Sequence, residues 1–215
     1  MKHILEADGI QLSFNDRKIL QDIHVQCETG KITGLLGRNG AGKSCLLKVI
    51  YGTLNCERSV RVDNVSMREM FKGPDQLMYL PQFNFIPGSI SLKRIFYDFD
   101  LDFRDFAERF PEFASDYKSA INSLSGGGRR LIEVYVMVKS KTRFTLLDEP
   151  FTHLSPLQTD KIKQLLLEEK VAKGFFITDH MYQQVLDIAD SLYVLVNGKT
   201  HRTNEVSDIE RLGYV

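Results

Sequence analysis

Short apolar runs separated by glycine and polar turns fill the first third of the chain, and they predict strands before helices. Ile10-Gln11-Leu12-Ser13-Phe14 alternates as a half-buried strand does, Asn15-Asp16-Arg17 reads as a turn, and Ile23-His24-Val25 resumes the alternation after Ile19-Leu20. Ile32-Thr33-Gly34-Leu35-Leu36 suits a buried strand, and Leu46, Leu47 and Ile50 fall at helical spacing with Gly52 as a stop. Val60-Arg61-Val62-Asp63 and Leu77-Met78-Tyr79-Leu80 predict further strands.

The pattern then changes period. Phe96, Phe99, Phe103, Phe106, Phe110 and Phe113 recur at alternating steps of three and four, a helical stripe interrupted at Pro111. These rings read as the core of a small helical unit, with a ligand or partner groove as the alternative. Strand patterns return at Phe144–Leu147, Phe175–Ile177 and Leu192–Val196. Helices are expected at Leu157–Lys170 and Met181–Ala189, and Asn197-Gly198 offers a hairpin turn. Strands alternating with helices predict an α/β fold with a mainly parallel sheet, entered through a small antiparallel β layer.

Composition narrows the class. The 215 residues suit one domain, and 43% apolar with 26% charged residues is ordinary globular usage. Lys+Arg and Asp+Glu both total 28, which argues against binding nucleic acid through a bulk basic surface. No apolar run is long enough to cross a bilayer, and the start, Met1-Lys2-His3-Ile4-Leu5-Glu6, lacks the pattern of a signal peptide. Cys27, Cys45 and Cys56 form no C-x-x-C pair and read as reduced thiols. A cytosolic protein is expected. Asp98, Asp100 and Asp102 invite a calcium-loop reading that fails, because Phe103 and Arg109 stand where such a loop needs glycine and glutamate. These carboxylates are expected on a solvated face or at a helix N-terminus.

The candidate chemistry begins at Gly37-Arg38-Asn39-Gly40-Ala41-Gly42-Lys43-Ser44, a full G-x-x-x-x-G-K-[ST] loop between a predicted strand and a predicted helix. Such a turn aims several backbone N–H groups and a helix N-terminus at one spot, which suits the phosphates of a nucleoside triphosphate. Lys43 then reaches the β- and γ-phosphates, and the Ser44 hydroxyl binds Mg²⁺. Cys45 adjoins the loop at the first helical turn. There the helix dipole is expected to favour its thiolate, with burial by packing as the alternative. Downstream, Phe144-Thr145-Leu146-Leu147 ends in Asp148-Glu149, carboxylates at the carboxyl end of a strand where α/β ligands gather. Asp148 is placed to hold Mg²⁺ through water, and Glu149 to polarise a water for attack on the γ-phosphate.

Between these two sites stands Leu124-Ser125-Gly126-Gly127-Gly128, and with it the chain resembles the ATP-binding-cassette (ABC) ATPases. That family carries, in order, an aromatic residue, the phosphate loop, a glutamine loop, an LSGGQ-type signature, the Asp-Glu strand, a D-loop and a switch histidine. The matching residues are Phe14, residues 37–44, Gln82 in Tyr79-Leu80-Pro81-Gln82, Ser125-Gly126-Gly127, Asp148 and Glu149, and His180 in Ile177-Thr178-Asp179-His180. The resemblance implies a P-loop NTPase with a RecA-like core, an antiparallel β subdomain, and a helical subdomain inserted at about residues 88–135 of a single domain. It implies Mg-dependent ATP hydrolysis by a cytoplasmic subunit at the inner face of the membrane, driving a permease on a separate chain, with no nucleic acid expected.

By the same resemblance, Phe14 stacks on adenine (a core phenylalanine being the alternative) and Gln82 touches Mg²⁺ or the attacking water. His180 holds the γ-phosphate, and the signature binds the nucleotide of a second cassette. The apolar Phe83-Asn84-Phe85-Ile86-Pro87 that follows Gln82 reads as a docking surface for another subunit. Two departures stand out: Gly128 replaces the signature glutamine, and Ser155 replaces the D-loop aspartate. Both face the opposing subunit, so a weak homodimer, or a heterodimer with a better-matched cassette, is expected. The rival readings are a soluble non-transport ABC ATPase and a regulatory nucleotide-binding subunit with little hydrolysis.

Overall fold

The computed structural model describes residues 2–67, 72–73, 75–203 and 211. Two sheets carry the fold. The first contains β1 (Ile4–Phe14), β2 (Arg17–Glu28), β4 (Glu57–Val62) and β5 (Val65–Ser66) in the order β2-β1-β4-β5, all antiparallel. The second runs β10-β9-β3-β8-β7-β6, from β3 (Ile32–Leu36), β6 (Leu77–Leu80), β7 (Phe144–Asp148), β8 (Gly174–Thr178), β9 (Ser191–Val196) and β10 (Lys199–Thr203). Its neighbours are parallel except for the β9/β10 hairpin, which turns through Asn197 and Gly198 at positive φ of 50° and 77°.

The inner strands β3, β7 and β8 are buried along their whole length, as strands covered on both faces must be. Alternate residues feed two cores. Phe175 and Ile177 of β8 face the side of α4 (Gly126–Lys139) and α5 (Pro156–Glu169). Phe176 faces the antiparallel sheet and α1 (Lys43–Tyr51).

The sequence missed the lengths of β1 and β2. Each is one long strand because irregular residues, Gly9 at φ 59° and Asp22 at φ 55°, interrupt the alternation without ending the pairing.

Between β6 and β7 lie α2 (Leu92–Asp98) and α3 (Phe103–Arg109), followed by short 3₁₀ turns and α4. The phenylalanine stripe breaks earlier than Pro111. α2 stops at Phe99, Asp100 takes φ 54°, and the Asp102 carboxylate caps α3 by accepting the Arg104 N–H. Asp98 pairs with Arg94 at 2.7 Å and Asp100 with Lys141, so each of these carboxylates is engaged locally. The rings do form a core. Phe96, Phe106, Phe110 and Phe113 are buried, and Phe106 meets Tyr135 of α4 edge to face at 4.9 Å. The helix expected at Met181–Ala189 is only α6 (Tyr182–Leu186), since Asp190 turns back to pair with Ile32 at the start of β3. No helix among the described residues is long and apolar enough to cross a membrane.

Candidate functional site

The parallel order sets the site. The carboxyl ends of β3, β8, β7 and β6 lie side by side, and each is followed at once by a motif residue. After β3 the chain runs through Gly40 at φ 78° and Gly42 at φ 107° into α1. Gly37 must be glycine, because a Cβ there would sit 2.9 Å from the Leu195 carbonyl. Lys43 arches back, its Nζ donating to the Gly37 carbonyl at 2.6 Å. Burial draws its pKa down, opposed by the charges of Glu149, Asp148 and Asp179.

Ser44 Oγ donates to Asp148 Oδ1 at 3.1 Å, and Tyr79 on β6 donates its phenol to Asp148 Oδ2 at 3.0 Å. Burial raises the Asp148 pKa, and these two hydrogen bonds counter it. The sequence marks Tyr79 only as a strand residue; the pairing of β6 with β7 brings its phenol to Asp148. Glu149 takes φ 51° and donates its N–H to the Thr178 carbonyl at 2.7 Å. Its Oε2 accepts Gln82 Nε2 at 2.8 Å and lies 3.4 Å from His180 Nδ1. The buried Asp179 beside His180 accepts the Phe151 and Met181 N–H groups at 3.1 and 2.9 Å, which ties this loop to the segment after β7.

A cleft of about 560 Å³ opens over these groups, lined by Lys43, Ser44, Cys45, Gln82, Glu149 and His180 with the loop glycines Gly40 and Gly42 and with Asn39. Phe14 stands at its rim, 48% exposed, which removes the core alternative. Arg38 and Ala41 face an adjoining cavity of about 580 Å³. At Cys45 the burial alternative holds, since desolvation pushes its thiol up rather than activating it.

Ser125, Gly126 and Gly127 do not line the cleft. Ser125 Oγ caps α4 by accepting the Gly128 N–H at 3.1 Å. A Cβ on Gly127 would fall 2.5 Å from the His153 carbonyl, so the signature and the D-loop touch within the chain. Ser155 is itself a helix cap, forming a reciprocal box with Gln158 at the start of α5. Of the expected docking segment Phe83, Asn84 and Pro87 are exposed, Phe83 at 65%, while Phe85 is half-buried and Ile86 turns into the core.

A family described as "ABC transporter" matches residues 20–152. The lipopolysaccharide export system ATP-binding protein LptB of Acidithiobacillus ferridurans is 29% identical over 214 residues, covering 93% of this chain and 89% of that one. LptB of Escherichia coli strain K12 is 27% identical over 214 residues, covering 90% and 87%. A solved ATP binding subunit of an ABC transporter shares the fold at a TM-score of 0.79 and 21% identity, covering 97% of this chain and 92% of that one. With the match spanning the phosphate loop, the signature and the Asp-Glu strand, this chain belongs to the ABC transporter family as an ATP-binding, ATP-hydrolysing subunit.

Proposed function

We propose that the chain works as one of two facing cassettes bound to a membrane permease on a separate chain, at the inner face of the membrane. ATP hydrolysis in its cleft drives the permease. The observation that carries this reading is the convergence of Gln82, Glu149 and His180 over the loop that holds Lys43 and Ser44.

Each residue has a task. Phe14 stacks on the base, residues 37–45 cradle the phosphates, and Lys43 neutralises the β- and γ-phosphates. The Ser44 hydroxyl and the Asp148 carboxylate present hard oxygen donors 3.1 Å apart, a set that fits Mg²⁺, and Gln82 lines the same cleft as Ser44. Bound there, Mg²⁺ would offset charge on the phosphate oxygens. Glu149, oriented by Gln82, accepts a proton from the attacking water, and His180 donates to the γ-phosphate. Ser125, Gly126 and Gly127 serve the nucleotide of the facing subunit, and that subunit returns the contact.

The test is Glu149→Gln. It should bind ATP as tightly as the natural chain while phosphate release falls by about 10²-fold or more. Near-normal turnover would remove Glu149 from the mechanism. The partner is tested by isolating the tagged chain from native membranes. A polytopic membrane protein should accompany it; recovery with ribosomes or nucleic acid would favour the non-transport alternative.

A further inference from the structure

The second turn of α4 sends a cation into the interior. Arg130 is 2% exposed and Glu133, one turn on, is 0% exposed. Arg130 Nη1 donates to the Pro81 carbonyl at 2.8 Å, and Nη2 donates to the carbonyls of Asp148 and Glu149 at 2.7 and 3.0 Å. One guanidinium thus joins the signature helix, the residue before Gln82 and both residues at the end of β7. Glu133 lies 3.9 Å from Arg130 Nη1, and its Oε1 accepts the Ile86 N–H at 3.2 Å.

Burying such a cation is expensive, and an apolar side chain of similar volume would cost less. Burial draws the Arg130 pKa down and raises that of Glu133, so each resists being charged where it sits, opposed by the carboxylates and guanidinia around it. What the cation supplies is backbone control. Glu149 at φ 51° holds a left-handed conformation that costs on the order of 1 kcal/mol and lasts only where neighbours fix it. Its N–H is held by Thr178 and its C=O by Arg130.

We propose that Arg130 is a positioning residue for hydrolysis: it locks the strained Glu149 peptide and the Pro81–Gln82 peptide together, so that the Glu149 carboxylate stays under Gln82 and His180. This rests on the reading of Glu149 as the base. Arg130 does not line the cleft; it acts through the backbone of Gln82 and Glu149, which do.

The experiment compares Arg130→Lys with the natural chain. Lysine keeps the charge, but its single ammonium lacks the planar fork that reaches several carbonyls at once. Turnover at saturating Mg-ATP should fall about 10- to 100-fold, the scale of a small misplacement in a catalytic site. Nucleotide affinity, read with a fluorescent ATP analogue, should stay within about twofold and the melting temperature within a few degrees. In a Glu149→Gln background, Arg130→Lys should lower the residual turnover no further, since the two act as one unit.

Unchanged turnover overturns the proposal, as does a parallel loss of turnover, affinity and melting temperature, or additive losses in the double variant. Glu149→Gln retaining activity would instead remove the base, and this proposal with it, so the two failures are distinct. If Arg130→Lys does not fold, Glu133→Gln serves. It keeps an acceptor for the Ile86 N–H and removes the facing carboxylate, so turnover should fall severalfold at constant affinity; full turnover there overturns the proposal.

Discussion

Lys173 is a second buried cation, and its consequence is one of pH. Its ammonium donates to the carbonyls of Val138, at 3.0 Å, and Ser140, closing the end of α4, and burial lowers its pKa from 10.5 to about 8. Because the folded chain gives up this proton more readily than the unfolded one, the buried charge opposes folding fully below pH 8. That opposition is relieved as pH rises from about 8 toward 10.5, by at most about 1.4 kcal/mol per pH unit. Relative to Lys173→Met, the natural chain should therefore gain stability across that window. Taking the difference cancels the opposite trend of Cys27, whose thiol burial raises to about 12. A flat difference in denaturant midpoints between pH 8 and 10 would contradict this.

Phe14 supports another prediction: Phe14→Ala should weaken nucleotide affinity about tenfold and leave saturated turnover near normal, because stacking contributes about 1–3 kcal/mol per base. The phosphate loop and the Asp-Glu strand end were legible in the sequence because local spacing defines them, whereas Phe14 entered only through the family resemblance. Tyr79, Asp179 and Arg130 were not legible. Tyr79 and Asp148 stand 69 residues apart in the chain, and nothing local marks a phenol or a guanidinium that will meet a distant carbonyl or carboxylate. At Cys45 the sequence leaves two readings open, the helix dipole and burial by packing, and only the packed structure shows that desolvation outweighs the dipole.

Elements were legible where one period dominated. The continuous apolar runs became inner strands, but the phenylalanine stripe hid the break at Asp100 because both short helices point their rings into one core. The same core alters the meaning of Gly128. A Cβ there would meet the Phe113 ring at 3.0 Å, and the ring is buried. Gly128→Gln is thus expected to destabilise the chain by about 1–3 kcal/mol, the range for overpacking, and Phe113→Leu in the same chain should recover part of the loss. A neutral Gly128→Gln in thermal denaturation would refute this. Ser155 has no such constraint from packing: Ser155→Ala should cost about 1 kcal/mol as a lost cap, whereas aspartate caps equally well. Ser155→Asp is therefore the cleaner probe of the trans face. Sedimentation with ATP should show a weak natural homodimer that this change strengthens, and a tight homodimer of the natural chain would end that idea.

At the scale of the whole molecule, the α/β class with its mainly parallel sheet was legible from alternating strands and helices, while the division into two cores and the strand order were not. Hydrophobic period says which residues are inside, never which strand lies next to which. That order has a consequence for biosynthesis. β3 and β7 lead into the phosphate loop and the Asp148-Glu149 pair, yet they are not neighbours in the sheet; β8, at residues 174–178, is inserted between them. Until that strand has left the ribosome, the nascent chain presents two unjoined sheet edges and their apolar faces, the exposure that chaperones answer. A cleft that needs both strand ends is therefore expected to form late in translation. A chain arrested before Gly174 should hold an intact phosphate-loop sequence and bind no ATP.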